Sequence, residues 1–256
     1  MSNIMFIDKE YNWKDTTLLE FLNEGNIPSG WEDFFNQKEV KQELETISKY
    51  LSERGKKKPI YPWVNNIFRA FYCCNPNTIK AVFLGQDCYH NPDPKDPLKP
   101  GSATGLCFDV KPGGQINPSL RNIYDELEFE NYKIKRDGRM EKWSKDIFLL
   151  NVGLTVEKSD PESHLDIWDK FTRLAIQYVA KNVSNVVWFL LGREAHFYKK
   201  YLDESNNCII TTSHPSPLGY KKEGRDYCAF FQSNIFRECN EYLDRIGKKI
   251  IDWEKK

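Results

Sequence analysis

The sequence predicts an α/β fold with a central, mostly parallel sheet of four strands and helices on both faces. Short apolar segments at 81–84, 147–151, 186–191 and 209–212 have the length of strands and alternate with helical patterns. These segments are apolar throughout, which is typical of a parallel sheet whose two faces are both covered. No apolar run approaches the roughly 20 residues that span a bilayer, so we expect no membrane segment.

Helical spacing of hydrophobic residues predicts the elements between the strands. The predicted helices lie near 18–22, 40–51, 60–71, 119–127, 167–179 and 231–243. The segment from Leu106 to Val110 is predicted to be extended. Lys56, Lys57 and Lys58 follow the second helix, and both a solvated loop and a phosphate contact fit this run.

Size and charge limit the function without deciding it. The chain has 256 residues, 40% of them hydrophobic, which suits a single domain over 1–256 that folds without cross-links. We expect a helical N-terminal part over 1–60 and the main core over 61–253. The 37 basic and 37 acidic side chains balance to zero net charge. Because nucleic-acid-binding proteins are usually basic, this balance argues mildly against DNA, and phosphate contacts must come from local patches.

The seven cysteines predict reduced thiols, because their number is odd and their spacing irregular. No pair of C-x-x-C ligands is present, so we expect no structural zinc or iron–sulfur site. The N-terminus is polar and acidic from Asp8 to Asp15, unlike a signal or transit peptide. We therefore expect an intracellular protein, in the cytoplasm or nucleus, that is not secreted.

Polar residues stand where the predicted strands end. Gln86 and Asp87 follow the first strand, Asn151 ends the second, Gly192 follows the third, and His214 comes just after the fourth. The carboxyl ends of parallel strands share one edge of the sheet, and α/β proteins bind ligands there. We therefore expect these residues to line one crevice.

Each of these residues has both a structural and a functional interpretation. Asp87 suits an Asx-turn or a helix cap, but also a carboxylate that orients water or stabilises positive charge. His214 is either structural or catalytic, and Phe108 either belongs to the core or stacks on a base. The amide of Asn151 offers a donor and an acceptor, which matches the N3–H and O4 edge of uracil. Singly they favour structural roles, but together at strand ends they favour a site.

Five blocks of sequence point to one family. They are Gly85-Gln-Asp-Cys-Tyr-His90, Gly105-Leu-Cys-Phe108, Pro118-Ser-Leu120 with Asn122-Ile-Tyr124, Leu149-Leu-Asn151 through Leu154-Thr-Val156 with Ser163-His164, and His214-Pro-Ser-Pro-Leu218. In these blocks the chain resembles the family 1 uracil-DNA glycosylases, and the resemblance extends over about residues 61–253. The first and last blocks are highly specific when they occur together. The resemblance makes 61–253 the catalytic core.

The resemblance implies an enzyme that flips uracil out of DNA and hydrolyses its N-glycosidic bond, leaving an abasic site for base-excision repair. Asp87 would position the attacking water, and a neutral His214 would donate a hydrogen bond to uracil O2. The uracil pocket would need no metal or organic cofactor. Gln86 would complete the pocket, and Tyr89 would exclude the methyl group of thymine. Phe108 would stack on the base, and Asn151 would read its edge.

The resemblance also implies contacts with single- and double-stranded DNA. Leu218 would enter the duplex where the nucleotide left, and Ser119 and Ser216 would hold phosphates. Further DNA contacts are expected from His90 and from a basic loop over 220–226 that carries Lys221, Lys222 and Arg225. Proteins of this family are usually monomers, and some are blocked by small acidic proteins that mimic DNA; Leu218 and the loop after it would decide whether this chain is blocked.

Departures from the family pattern leave alternatives open. Cys88 stands where the family usually has proline, the turn over 113–118 stands where it is often proline-rich, and Gly219 stands where it often has serine. The segments 91–100 and 220–226 are longer than usual. We expect the basic loop to compensate for the missing serine, and the cysteine to loosen its turn. One alternative is a DNA-binding module that has lost most catalysis. Another is a glycosylase that acts on a different lesion.

Overall fold

The computed structural model describes Trp13 and residues 15–95 and 98–255. The acidic start of the chain, before Trp13, and residues 96 and 97 of the long segment lie outside the described residues. The strands are β1 (Ile60–Tyr61), β2 (Ala81–Asp87), β3 (Ile147–Gly153), β4 (Val156–Glu157), β5 (Val187–Leu191) and β6 (Cys208–Thr212). The helices are α1 (Leu18–Asn23), α2 (Glu32–Phe35), α3 (Lys38–Gly55), α4 (Arg69–Cys73), α5 (Pro118–Phe129), α6 (Leu165–Asn182), α7 (Arg193–His196) and α8 (Ile235–Arg245).

The main sheet has four strands in the order β3–β2–β5–β6, and every pair is parallel. This confirms the predicted fold class. Leu84 of β2 pairs with Leu150 of β3 and Leu190 of β5, and Leu190 pairs with Thr211 of β6. The four strands are therefore level near their carboxyl ends, so the residues that follow emerge along one edge.

Aromatic side chains cover both faces of this sheet. Successive residues of a strand point to opposite faces. On one face Phe148 of β3 lies 5.0 Å from the ring of Phe71 in α4. On the other, Phe83 and Phe189 stack at 4.2 Å, and the ring of Phe236 in α8 lies 6.0 Å from Phe189. The burial of both faces explains why the strand sequences are apolar throughout.

The N-terminal helices pack directly on this core. Trp31, at the start of α2, is fully buried, and its indole N–H donates to the Cys74 carbonyl at 2.8 Å. Its ring lies 4.8 Å from Phe71. Lys170 of α6 reaches Glu43 of α3 with Nζ 3.2 Å from Oε2. A single domain over 1–256 stays a prediction, with which this packing agrees.

Two predicted elements are wrong. The segment from Leu106 to Val110 is not a strand, because Gly105 and Phe108 have φ angles of 85° and 58° and turn the chain. The helix predicted over 60–71 is replaced by β1, a 3-10 turn at Val64–Asn66 and the short α4. Ile60 and Tyr61 instead pair with β4 in an antiparallel ladder. Pro62 has no N–H to donate, so a regular helix cannot run through this point.

Candidate active site

Asp87 lies at the end of β2, at the edge where the strands are level. Its Oδ2 accepts a hydrogen bond from the backbone N–H of Glu162 at 2.8 Å. Burial raises the pKa of Asp87, and the bond from Glu162 offsets part of that rise because it favours the charged form. A carboxylate held in this way is oriented, and its proton affinity is increased, which suits it to act on a water molecule.

Asn151 is buried on the neighbouring strand, opposite Gly85. A Cβ atom at Gly85 would lie 2.5 Å from Oδ1 of Asn151, so only glycine allows this close approach. The Asn151 amide donates to Sγ of Cys88 at 3.5 Å, and that thiol donates to the Leu154 carbonyl at 3.3 Å. The residue found where the family usually has proline therefore links the turn after β2 to β3 and to the Asn151 side chain.

His214 follows β6, and a hydrogen bond determines its tautomer. The backbone N–H of Ser216 donates to Nδ1 of His214 at 3.1 Å, so the neutral ring carries its proton on Nε2. Burial lowers the pKa of His214, which favours this neutral form. Gly192 has a φ of 95° and lies against His214. A Cβ atom at Gly192 would lie 2.8 Å from Cβ of His214. The ring is held as a neutral donor.

Two aromatic residues adjoin these groups. Phe108 is 9% exposed, and its ring centroid lies 6.0 Å from that of His214. Phe108 has a positive φ of 58°, so the chain turns at this residue where an extended segment was predicted. Tyr89 donates its hydroxyl to the Phe108 carbonyl at 3.3 Å, and burial raises the pKa of Tyr89. Both rings are thus fixed beside the strand ends.

Hydrogen bonds also hold the segment from Ser213 to Leu218. The side chain of Asn122 in α5 donates to the Pro215 carbonyl at 2.7 Å, and the N–H of Phe230 donates to Ser213 Oγ at 2.9 Å. Leu218 nevertheless remains 83% exposed. A large apolar side chain on a fixed, exposed turn loses contact with water only when something binds there.

Gly219 lies against the same segment. A Cβ at Gly219 would come within 2.8 Å of the His214 carbonyl oxygen and 3.3 Å of Ser216 Oγ. The serine that relatives often carry at this position would therefore require the backbone to move.

The other predicted DNA-contacting residues lie around this segment. Ser119 is in the first turn of α5, the helix that Asn122 ties to the Pro215 carbonyl. Lys221 lies over the Phe231 ring, with Nζ 4.8 Å from its centroid. Lys222 and Arg225 are exposed. At His90 the carbonyl accepts the N–H of Ser159, whereas the buried Nδ1 has no hydrogen-bond partner in the described part of the chain.

A cavity of about 210 Å³ opens at this edge of the sheet. Its lining includes Gln86, Glu162, Arg193, Glu194 and His214. The side chain of Gln86 donates to Oε1 of Glu162 at 2.7 Å across this cavity. A larger cavity of about 370 Å³ lies between Trp13, the lysine run and Leu98, and it shares no lining residue with the first.

The lysine run at 56–58 is divided between two roles. Lys58 Nζ lies 3.0 Å from Glu157 Oε2 and 3.2 Å from Asp160 Oδ2. Arg54 also pairs with Glu157. Burial alone would raise the pKa of Glu157, but the bonds from these two cations lower it to about 2. For Lys58 the structural interpretation is favoured, whereas Lys56 and Lys57 remain exposed.

All seven cysteines are free, and only Cys228 is classed as exposed. Among the described residues, no group of three or more His, Cys, Asp or Glu side chains is placed to hold a metal ion. Within the same residues, no helix combines the length and apolarity needed to cross a membrane.

Three residues of the site were missed or left without a role in the sequence. Glu162 lies in the loop between β4 and α6, where nothing in its pattern marks it. Asn122 belongs to a block that carries the resemblance, yet its bond to Pro215 is visible only in the structure. Gly192 was noted as the residue after a strand, and its contact with His214 depends on the pairing of β5 with β6.

Comparisons with known proteins identify the family of this chain. The sequence model of the uracil DNA glycosylase superfamily matches residues 71–244. A uracil-DNA glycosylase of Francisella tularensis subsp. tularensis is 37% identical over 228 residues, which cover 87% of this chain and 97% of that protein. The crystal structure of mimivirus uracil-DNA glycosylase is 26% identical with a TM-score of 0.83, covering 98% of both chains. A variant of the mimivirus enzyme in complex with UGI is 28% identical with a TM-score of 0.81, covering 89% of both. The chain belongs to the uracil DNA glycosylase superfamily.

Proposed function

We propose that this protein is a uracil-DNA glycosylase that releases uracil from DNA by hydrolysing the N-glycosidic bond, the first step of base-excision repair. The observation that carries the proposal is the arrangement at the strand ends. An oriented carboxylate, a buried amide and a neutral histidine N–H lie at the same edge of one parallel sheet, at the ends of β2, β3 and β6, and they are Asp87, Asn151 and His214. A water molecule would attack C1′, and the bond to N1 would break with its electrons passing to the leaving uracil.

Asp87 acts on the sugar side of this bond. Its charged carboxylate stabilises the positive charge that develops on the sugar and orients the attacking water, whose proton it accepts as the new C–O bond forms. The Glu162 N–H fixes one oxygen of Asp87 and leaves the other for water. Positioning of this kind lowers the barrier because the geometry is set before the reaction begins.

His214 acts on the base. As the bond breaks, negative charge grows on uracil, and a donor aimed at O2 stabilises that charge most where water is excluded. The N–H on Nε2 of His214 is such a donor, since Ser216 occupies the opposite nitrogen. A neutral donor is favoured here because burial lowers the pKa of this histidine.

The pocket walls account for selection of uracil. The amide of Asn151 would pair with the N3–H and O4 edge, whereas cytosine presents the opposite pattern of donor and acceptor. Tyr89, held by its bond to the Phe108 carbonyl, would occupy the space that the thymine methyl group needs. The Phe108 ring would stack on the base, and Gln86 would complete the pocket.

The DNA face surrounds the pocket. Leu218 would fill the gap in the duplex, while Ser119, Ser216 and His90 would contact the backbone near the flipped nucleotide. Lys222 and Arg225 would attract phosphate, together with Lys221 on its aromatic support. We further propose that the enzyme acts as an intracellular monomer on single- and double-stranded DNA. Because a mimivirus relative binds UGI, a protein inhibitor that occupies this face belongs to the same proposal.

The test is base release from a single-stranded oligonucleotide with one uracil, measured in EDTA beside a thymine control. We expect release from the uracil strand only, and a loss of at least about a hundredfold in rate for Asp87→Asn, which keeps the size of the side chain but removes its charge. DNA that stays bound without base release would contradict the proposal and favour a binding module. Release by the variant at the wild-type rate would contradict the role of Asp87.

A further inference from the structure

Glu162 makes two contacts with the predicted catalytic segment, although the two are 75 residues apart in sequence. Its backbone N–H donates to Asp87 Oδ2 at 2.8 Å, and its side chain accepts from Gln86 Nε2 at 2.7 Å. The residue has φ of 65°, a region that glutamate rarely adopts. A backbone in this conformation persists when surrounding contacts hold it, and such positions cluster at functional sites.

Glu162 also brings a second negative charge to Asp87. Two like charges that are close together disfavour ionisation of each other. Burial is the first cause that raises the pKa of Asp87, and the charge of Glu162 raises it further, while the Glu162 N–H and His90 lower it. Arg193, Glu194 and His214 line the cavity from the other side. Among these groups Glu162 is the one whose hydrogen bonds reach both Asp87 and Gln86.

We propose that Glu162 is a positioning residue for the reaction, whose N–H orients Asp87, whose side chain orients Gln86, and whose charge sets the lower pH limit of activity. The inference rests on the proposed glycosylase function. Glu162 acts through its neighbours and is not assigned a contact with the substrate.

Side-chain substitutions separate these contributions, because the backbone N–H is present in every variant. Glu162→Gln removes the charge but keeps an oxygen that can accept from Gln86. Glu162→Ala removes both the charge and the acceptor. Glu194→Gln is the matched control, since Glu194 lines the same cavity but its side chain is bonded to its neighbour Arg193 at 3.3 Å.

The experiment measures kcat/KM for uracil release from a single-stranded oligonucleotide between about pH 4 and about pH 9 at constant ionic strength. Activity requires ionised Asp87, so it rises with pH through the pKa of that residue. Removing the neighbouring negative charge should lower this pKa, and the acidic limb of Glu162→Gln should move down by roughly half a pH unit or more. The limb of Glu194→Gln should stay close to that of the wild type.

The value of kcat/KM at the alkaline plateau distinguishes the two roles of the Glu162 side chain. Glu162→Gln should stay within about threefold of the wild type there, whereas Glu162→Ala should lose a further fivefold or so, because Gln86 has lost its acceptor. An unmoved limb in Glu162→Gln, or an equal shift in Glu194→Gln, would overturn the inference. A lowered Tm without a change in the pH profile would also overturn it, because the role would then be structural. If the wild type released no uracil, the proposed function itself would fail, so the two failures are distinguishable.

Discussion

His164 is fully buried and His214 is half-buried, and both have lowered pKa values, yet their surroundings suit them to different tasks. At His164 the ring is fully buried: Nδ1 lies 2.9 Å from the Thr155 hydroxyl, and Nε2, which has no hydrogen-bond partner within the described residues, is sealed in the interior 3.6 Å from Glu157 Oε1. At His214 only Nδ1 has a hydrogen-bond partner within the described residues, and the N–H on Nε2 is left for a ligand. A shifted pKa therefore does not mark the catalytic histidine. The feature that favours a catalytic role for His214 is its N–H at the edge of the sheet, for which the described part of the protein offers no partner.

The largest expected effect is on activity, and it tests the difference between His214 and His164. His214→Gln should lower kcat for uracil release by about a hundredfold to a thousandfold, the usual cost of losing a donor at developing negative charge. Stability should change little, since the ring has one hydrogen bond and lies at the edge of the core. The measurement is single-turnover base release together with urea unfolding at pH 7. A variant with wild-type kcat would show that His214 is structural like His164.

The second effect concerns stability and falls on His164. Burial is the main cause that lowers the pKa of His164 to about 4, whereas the unfolded chain titrates near 6.5. Between these values the unfolded state binds more protons than the folded state, so stability is present above about pH 6.5 and is lost as pH falls. The contribution of His164 to this loss should be about 2 kcal/mol between pH 7 and pH 5, and it is read from the difference between the wild type and His164→Gln, because Glu130, whose pKa is raised to about 7, titrates in the same range with the opposite sign.

Urea unfolding at the two pH values measures this loss. His164→Gln should be less stable at pH 7 but should lose less on acidification, because the titrating ring is absent. His214→Gln is the matched comparison, since it removes the histidine at the edge of the site and keeps the enclosed one. An equal loss in the wild type and His164→Gln would mean that His164 titrates normally in the folded protein.

The smallest effect extends the contrast to the surface, where two basic clusters differ in their partners. Lys221, Lys222 and Arg225 lie in the loop proposed to contact DNA, whereas Lys58 pairs with Glu157 and Asp160. Replacing the first three with alanine should weaken single-stranded DNA binding and reduce the slope of log affinity against log salt by about two.

Fluorescence titration of a labelled oligonucleotide at several salt concentrations gives that slope. The paired variant Lys56→Ala/Lys57→Ala is the comparison, because these side chains are exposed and carry no assigned contact. If it changed the slope while the triple variant did not, the DNA path would run past the end of α3.

The local sequence pattern was sufficient to predict the sheet and part of the candidate site. Each main strand is apolar because both faces are covered, and polar residues after several such strands together favour a site, although each one alone also suits a structural role. That reasoning found Asp87, Asn151 and His214 before any coordinates. Their convergence followed from parallel topology, which the register of Leu84 with Leu150 and Leu190 confirms.

Features that depend on tertiary contacts were out of reach of the sequence. The positive φ of Phe108 contradicts its extended pattern and exists because the chain turns at Gly105. Glu162 reaches Asp87 from a loop with no recognisable signal, and the tautomer of His214 depends on the N–H of Ser216. The role of each site residue stays a prediction until the variants above are measured.

The distribution of thiols described above has a practical consequence for following DNA binding. Cys88 is shielded beneath Asn151, and burial raises its pKa, so alkylating reagents find little thiolate there. Cys228 is exposed, and its carbonyl accepts the N–H of Ser213 at the start of the segment that carries Leu218. A fluorophore placed on Cys228 would therefore report on the proposed DNA face in the otherwise unaltered protein, so that DNA binding becomes visible separately from bond cleavage.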